Sequence, residues 1–478
     1  MIPMKHLFYH VFSGFIIAAT FLGGDISARE IFVATPDELK KLDTALPGDV
    51  FIFKNGTWTD TRISVKKGGS AERPLVIRAE TPGDVVFTGN STLEFRAPYV
   101  TADGFLFSGP HAKGDAVALR SHHGILRNSA IIDYNPQNLE TKFSWVTFAG
   151  ENNLVDHCYF AGKDNRDPVI NNYFGFRHNA VTACYFKNIP HKLSKYTARI
   201  FEIWGGVESN TNADFNGGLF TVQGNLFEHA GGDGSIIVIK SNHNRVIGNT
   251  FLASGGVINM RAGNFNMFED NIFLGMGVKG SQGIRMSGMG HIVQGNYISG
   301  CDEGIMVSCG DYIEKDLTGK FVPTLRGTPP VQIPFYKQVG NLTLKNNVLV
   351  GNKNADLDMG ARYRVMWPAI QTILLPEDNL IENNRIVRPL GGVAVVGTLP
   401  DADTDPVIPK LAFRPNQYVG NVIVGGTNGF EPSQGGFKLE KLPADWSEAK
   451  ESAKFIPLTA ADVGPDWVRN KGRYKNGH

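Results

Sequence analysis

Cysteine is scarce: Cys158, Cys184, Cys301 and Cys309 are the only four in 478 residues. No two stand in a C-x-x-C spacing, which argues against a zinc site. A disulfide is permitted in an exported chain, but buried free thiols that pack as small hydrophobes are the favoured reading. Charge of one sign is also missing. Lys and Arg number 47 against 46 Asp and Glu, a net charge of +1. No global field therefore advertises nucleic acid or a membrane, and any acidic ligand must be held by a local basic patch. Long apolar runs are few as well. The run from Val11 to Gly23 is too short to span a bilayer comfortably. Preceded by Lys5 and followed by Ile26-Ser27-Ala28, it reads as a signal peptide cleaved after Ala28, with a membrane anchor as the lesser alternative. That reading places the protein in the periplasm or outside the cell, free of the membrane after cleavage.

Glycine, by contrast, is abundant at 55 residues, and asparagine is frequent. This mixture suits many short strands joined by tight turns that need positive φ. Residues 29–478 read as one domain, with an N-terminal cap over about 29–60 and an irregular cap over about 435–478. Ile31–Ala34 reads as a strand. Thr35-Pro36-Asp37-Glu38 then reads as a helix start with a capping box, and the helix is expected to run to about Asp43 and plug one end of the fold.

From about residue 70 the chain repeats. Asn244–Phe251, Asn266–Phe273 and His291–Ile298 each consist of a short strand, a turn ending in Asn, and a second short strand. Related copies lie at Leu219–Phe227, Leu342–Leu349, Asn379–Val387 and Gln417–Val424, while Cys158 and Cys184 take the Asn position in earlier ones. Asparagines 225, 249, 271 and 296 recur every 22 to 25 residues. Such a unit cannot bury its own apolar face, so stacked units must share one core. The dense leucines of a leucine-rich repeat are absent. The pattern predicts an all-β, right-handed parallel β-helix in which the asparagines stack as an internal amide ladder with a structural role. Pro190–Gly218 and Cys309–Lys337 break the period as irregular insertions, which in solenoids gather on the binding face.

Three cations stand out within strands. Lys240 ends Ser235–Ile239, Arg261 ends Gly256–Met260, and Arg285 lies in Gly283–Met286, about one coil apart each. They are expected to form a vertical stripe, with the register of Arg285 the least secure. The strands that carry them hold no carboxylates, and like charges on neighbouring strands repel. The stripe is therefore weighed evenly between solvated surface and anion site. A lysine beside an arginine has its pKa depressed, and a neutral amine can serve as a general base. Removing the hydrogen α to a uronate carboxylate, with a permanently charged arginine steadying the developing charge, is chemistry such a stripe can perform. Glycoside hydrolysis would want paired carboxylates, and no adjacent Asp-Asp pair, glycine-flanked His or Asp-Pro-His-Asp motif is present.

At these residues the chain resembles polysaccharide lyase family six, the family of chondroitinase B and of alginate lyases. The resemblance covers Ala34–Leu39, Pro47-Gly48-Asp49, Phe87–Ser91, Pro457–Pro465 and, most specifically, Lys240-Ser241, Arg261 and Gly283-Ile284-Arg285. It implies Lys240 as Brønsted base, Arg261 as acid or charge stabiliser, and Arg285 as a substrate contact. His291 and Tyr312 are further candidates for groove contacts, with a buried, satisfied role the stronger reading for His291. The family's calcium ligands are poorly matched. Gly232-Asp233-Gly234-Ser235 offers Asp233 for the first acid and a serine for the second, and Ala262 replaces a histidine. Calcium dependence is expected to be weak or absent, with Asp233 the ligand if calcium binds. The reading is an exported lyase for alginate or a related uronate polymer. The alternatives are a lyase for dermatan- or chondroitin-type glycosaminoglycan, a non-catalytic polysaccharide-binding β-helix, and, least favoured, a hydrolase on the same fold.

Overall fold

The structure is a computed structural model, and it describes residues 28–190, 199–205, 218–312, 336–360, 364–367, 370–397, 414–429 and 436–473. The segment read as a signal peptide lies outside these residues. Each coil contributes one strand to each of three parallel sheets, called A, B and C in chain order, with 14, 14 and 13 strands. All-β solenoid architecture follows directly, because every strand within the stack finds both hydrogen-bonding edges on the coils above and below. The stack starts earlier than the visible repeat, at Glu30–Val33, which pairs with Val50–Phe53.

The interior is filled by the inward member of each alternating pair. Phe160, Phe186, Phe227, Phe251 and Phe273 stack ring on ring, with successive centroids 5.1, 4.9, 4.6 and 4.5 Å apart. The amide ladder is also present. Asn225 Nδ2 donates to Asn249 Oδ1 at 3.0 Å, and the pattern continues through Asn271, Asn296, Asn347, Asn384 and Asn421. Cys184 and Cys158 extend the column toward the N-terminal end of the stack: Cys184 N–H donates to Asn225, and Cys158 N–H to Cys184 Sγ. All four cysteines are buried and free.

The ends and the tail differ from the sequence reading. Pro36–Thr44 forms tight 3₁₀ turns, and Thr35 does not cap them with its side chain. The Glu38 carboxylate accepts instead from the Ala34 N–H at 2.7 Å. The C-terminal segment is no end cap. After Phe437–Glu440 pairs with Asn421–Val424, the chain turns back along the outer face of sheet B. Glu451 binds Arg385, Phe455 packs on Tyr297 at 4.7 Å, Gly464 N–H donates to Ala183 O, and Trp467 Nε1 donates to Asn128 O. Trp467 covers Gly83 (φ +81°) so closely that a Cβ there would meet the indole at 2.3 Å. Sheet B is therefore covered by the chain's own tail, whereas sheet C carries polar side chains outward. Gly310–Tyr312 leaves the stack and joins a small antiparallel sheet with Ile370–Leu374 and Arg364–Trp367.

Candidate active site

Three consecutive rungs of sheet C build the site: Phe201–Trp204, Ser235–Lys240 and Val257–Ala262. Phe201, Ile203, Ile237, Ile239, Ile258 and Met260 point inward and are buried, which turns Glu202, Trp204 and Lys240 outward. In register, Trp204 lies beside Lys240. The next pair shifts: Ile239 opposes Met260, but Lys240 opposes Ala262, so Arg261 is the extra residue of a bulge. Bulges re-aim a side chain and recur next to active sites.

Lys240 is 9% exposed, its Nζ 2.6 Å from Glu202 Oε1 and 3.3 Å above the centre of the Trp204 ring. Burial pulls its amine down to about 8, against the attraction of Glu202, with the Arg199 and Arg261 charges adding to the depression. The cause thus differs from the sequence expectation. Desolvation dominates, and the neighbouring arginines are minor. Nor is the stripe free of carboxylates, since Glu202 is in direct contact. Burial would raise the Glu202 carboxyl, but Lys240 and Arg199 outweigh it and hold it below the ordinary range. Burial likewise lowers the Arg261 guanidinium.

Arg199 completes the cluster. Its Nη1 donates to Glu202 Oε1 at 2.8 Å and its Nε to Asp233 Oδ2 at 3.0 Å. Asp233, the expected calcium ligand, is therefore spent on a guanidinium, and its Oδ1 accepts from the Ser235 N–H. Calcium takes six to eight oxygens. Here the two nearby carboxylates both bond a fixed cation, and no cluster of three or more acidic, His or Cys side chains among the described residues has a metal-holding arrangement. The residues present do not fit calcium.

Arg285 faces the same side but sits one pleat away. It aligns with Asn259 rather than Arg261. Its guanidinium lies 5.1 Å from the Tyr336 ring, and Nε donates to Ser308 Oγ at 3.3 Å. The predicted straight stripe of three cations is therefore a staggered one. His291 is displaced altogether. It is fully buried at a coil corner, accepts from the Asn266 N–H at Nδ1 and contacts Ser287 O through Nε2, and desolvation lowers it to about 4. It extends an asparagine column as a structural member and does not reach the groove. Tyr312 is placed by its backbone alone, and its side chain lies outside the described residues.

Arg199, Glu202 and Trp204 went unread because Pro190–Gly218 scans as an irregular insertion. The alternation in Phe201-Glu202-Ile203-Trp204 was the available signal. Trp204 and Lys240 are 36 positions apart in sequence although adjacent in register, so a period in the low twenties cannot find the match.

The chain is similar to known proteins over most of its length. The family model described as chondroitinase B matches residues 33–306. A family-six polysaccharide lyase from Pseudopedobacter saltans is 37% identical with a TM-score of 0.79, and the match covers 91% of this chain and 99% of that one. A mannuronic acid specific family-six lyase from human gut microbiota, at 21% identity and TM-score 0.71, covers 93% and 98%. At that identity the likeness is one of fold. No curated protein matches the chain.

Proposed function

Since this chain belongs to the chondroitinase B family, polysaccharide lyase family six, and is a polysaccharide lyase, we propose that it cleaves a uronate polymer, alginate foremost, with Lys240 as the base. The observation that supports this most is the Lys240 amine, nearly buried against Trp204 and depressed to about 8. An amine of that basicity supplies a useful neutral fraction near neutral pH without losing proton affinity.

In the proposed reaction the neutral amine of Lys240 takes the C5 hydrogen of a uronate. The electron pair of that C–H bond becomes the C4–C5 double bond, the C4–O bond breaks, and the departing sugar oxygen takes a proton from solvent. Arg261, charged throughout, holds the negative charge that develops. Arg199, fixed by Asp233 and Glu202, provides positive charge near the substrate carboxylate, the task a metal would otherwise perform. Arg285 is assigned to substrate contact one rung on. Export to the periplasm or medium remains part of the proposal, on the strength of residues 1–28.

A panel of alginate, polymannuronate, polyguluronate and dermatan sulfate tests the reading, followed by ultraviolet absorbance of the 4,5-unsaturated end with and without chelator. Alginate blocks are expected to give the largest signal, unchanged by chelator. New reducing ends without absorbance would mean hydrolysis. Polymer binding without new ends would mean a non-catalytic binder, and a signal on dermatan sulfate alone would transfer the assignment to glycosaminoglycan.

A further inference from the structure

The column of sheet C that ends in Lys240 can be followed toward the N-terminal end of the stack. One rung up is Trp204. Tyr173 N–H donates to Phe148 O, Ala149 N–H to Leu119 O, Arg120 N–H to Phe95 O and Arg96 N–H to Val65 O, each continuing the same parallel ladder. The outward positions in this column are therefore Lys66, Arg96, Arg120, Ala149, Tyr173, Trp204 and Lys240. Its upper end repeats the signature that marked Lys240: a cation directly after the last inward residue of a strand. Here that happens on three successive rungs.

Three stacked cations need compensation, and little is supplied. Glu94 is shared by Arg96 at 2.7 Å and Arg120 at 3.1 Å, while among the described residues Lys66 pairs with Asp43 at 3.9 Å. Arg62 and Lys113 add two more positive charges to the same cleft, which encloses about 760 Å³. Like charges on adjacent strands cost stability unless an anion bridges them. At the cleft floor the Ser64 Oγ is buried without a hydrogen-bond partner. Farther along the same outward column, on the way to the candidate site, so are Thr147 Oγ1, Asn171 Oδ1 and Asn259 Oδ1, since Ser64 aligns with Glu94, Ala118 and Thr147, and Thr147 with Asn171, Glu202, Val238 and Asn259 in turn. Buried polar atoms without partners are rare and call for a ligand or water. Between the cations and Lys240 stands an aromatic step. Tyr173 is 51% exposed, and Phe174 packs on Trp204 at 4.5 Å.

We propose that Arg62, Lys66, Arg96 and Lys113 form a distal anchoring site for the carboxylates of a uronate chain laid along the helix axis. Tyr173, exposed on the way to Lys240, offers its ring to a sugar. Arg96, the member of the anchoring site in this column closest to the catalytic end, and Lys240 are five rungs apart, about 24 Å at the usual strand spacing, and one rung is close to the length of one 1,4-linked pyranose. A polymer long enough to cover both places would bind at both, and a trisaccharide only at the catalytic end. The proposal rests on the uronate reading above for the identity of the sugar.

The test is the triple variant Arg62→Gln/Lys66→Gln/Lys113→Gln, which leaves both salt bridges of Glu94 intact. KM for polymeric alginate is expected to rise about tenfold, the sum of three modest exposed contacts, with KM for alginate trisaccharide and kcat for both unchanged. Equal KM changes for polymer and trisaccharide, or no change for either, would overturn the anchoring site. A second measurement does not need turnover. Lys240→Ala protein should be retarded in a gel containing alginate but not in one containing a neutral cellulose ether, and adding the triple substitution should raise the alginate concentration needed for the same retardation about tenfold. If no polymer yields unsaturated ends yet this pattern holds, the catalytic reading fails and the anchoring site stands. If the pattern is absent, the anchoring site fails.

Discussion

Sheets B and C use the same in-out alternation but expose it to different partners. Outward from sheet B stand Leu106, Tyr159, Tyr185 and Leu226, and they are buried because Val463, Trp467 and Val468 of the tail lie on them. Outward from sheet C stand Glu202, Lys240, Asn259 and Arg285, some nearly buried, but by charged and aromatic neighbours. The inward residues of the two sheets are interchangeable in kind. What separates a wall from a working surface is therefore the second residue of each pair: apolar where the chain covers itself, ionisable where it does not.

Swapping substitutions between the two faces should separate activity from stability. The largest effect is expected from Lys240→Ala, which removes the base and should lower kcat about 10²- to 10⁴-fold. The denaturation midpoint should stay near that of the parent, because Glu202 retains Arg199 at 2.8 Å. On the other face, Trp467→Ala removes an indole that is 7% exposed. It should cost roughly 3–5 kcal/mol in denaturant unfolding, the usual range for a buried aromatic, while kcat is unchanged. A loss of stability in the first variant or of turnover in the second would break the division.

The pH dependence sharpens the comparison further. In the proposed reaction Lys240 works as the neutral amine, so kcat should climb as pH rises through about 8. Glu202 opposes that depression. Glu202→Gln should therefore lower the amine further and move the ascending limb toward acid, a shift that a purely structural defect would not produce. The smallest effect is expected from Arg285→Ala. Its guanidinium lies one pleat from the reacting column, so KM should increase severalfold with kcat retained, measured on the same oligosaccharide.

Much of this was visible in one dimension. Coil spacing identified the solenoid, because only a stacked core satisfies a unit of some two dozen residues. It also found the asparagine ladder, whose members recur wherever the corner recurs. The site was legible where the spacing held, at Lys240, Arg261 and Arg285. It failed where an insertion stretched one coil and hid Glu202 and Trp204, and where a bulge shifted Arg261 by one place. The direction of the Lys240 shift was readable, but its cause was not. Burial depends on what packs around the amine, and Trp204 comes from a strand the repeat does not announce. His291, in sequence a loose candidate for the groove, takes the buried role that is the stronger reading there: its two nitrogens replace what an asparagine does at that corner.

The returning tail gives this stack a property that open repeat arrays lack. Rungs that touch only their neighbours fray from either end, one at a time, at little cost. Here a single thread bonded to Arg385 and later to Asn128, with Lys471 reaching Pro82, laces late rungs to early ones. Peeling the first rungs means letting go of the thread that also grips the last. Unravelling should then be shared along the whole length, and a protease cut between Phe455 and Trp467 would part the grip on the late rungs from the grip on the early ones.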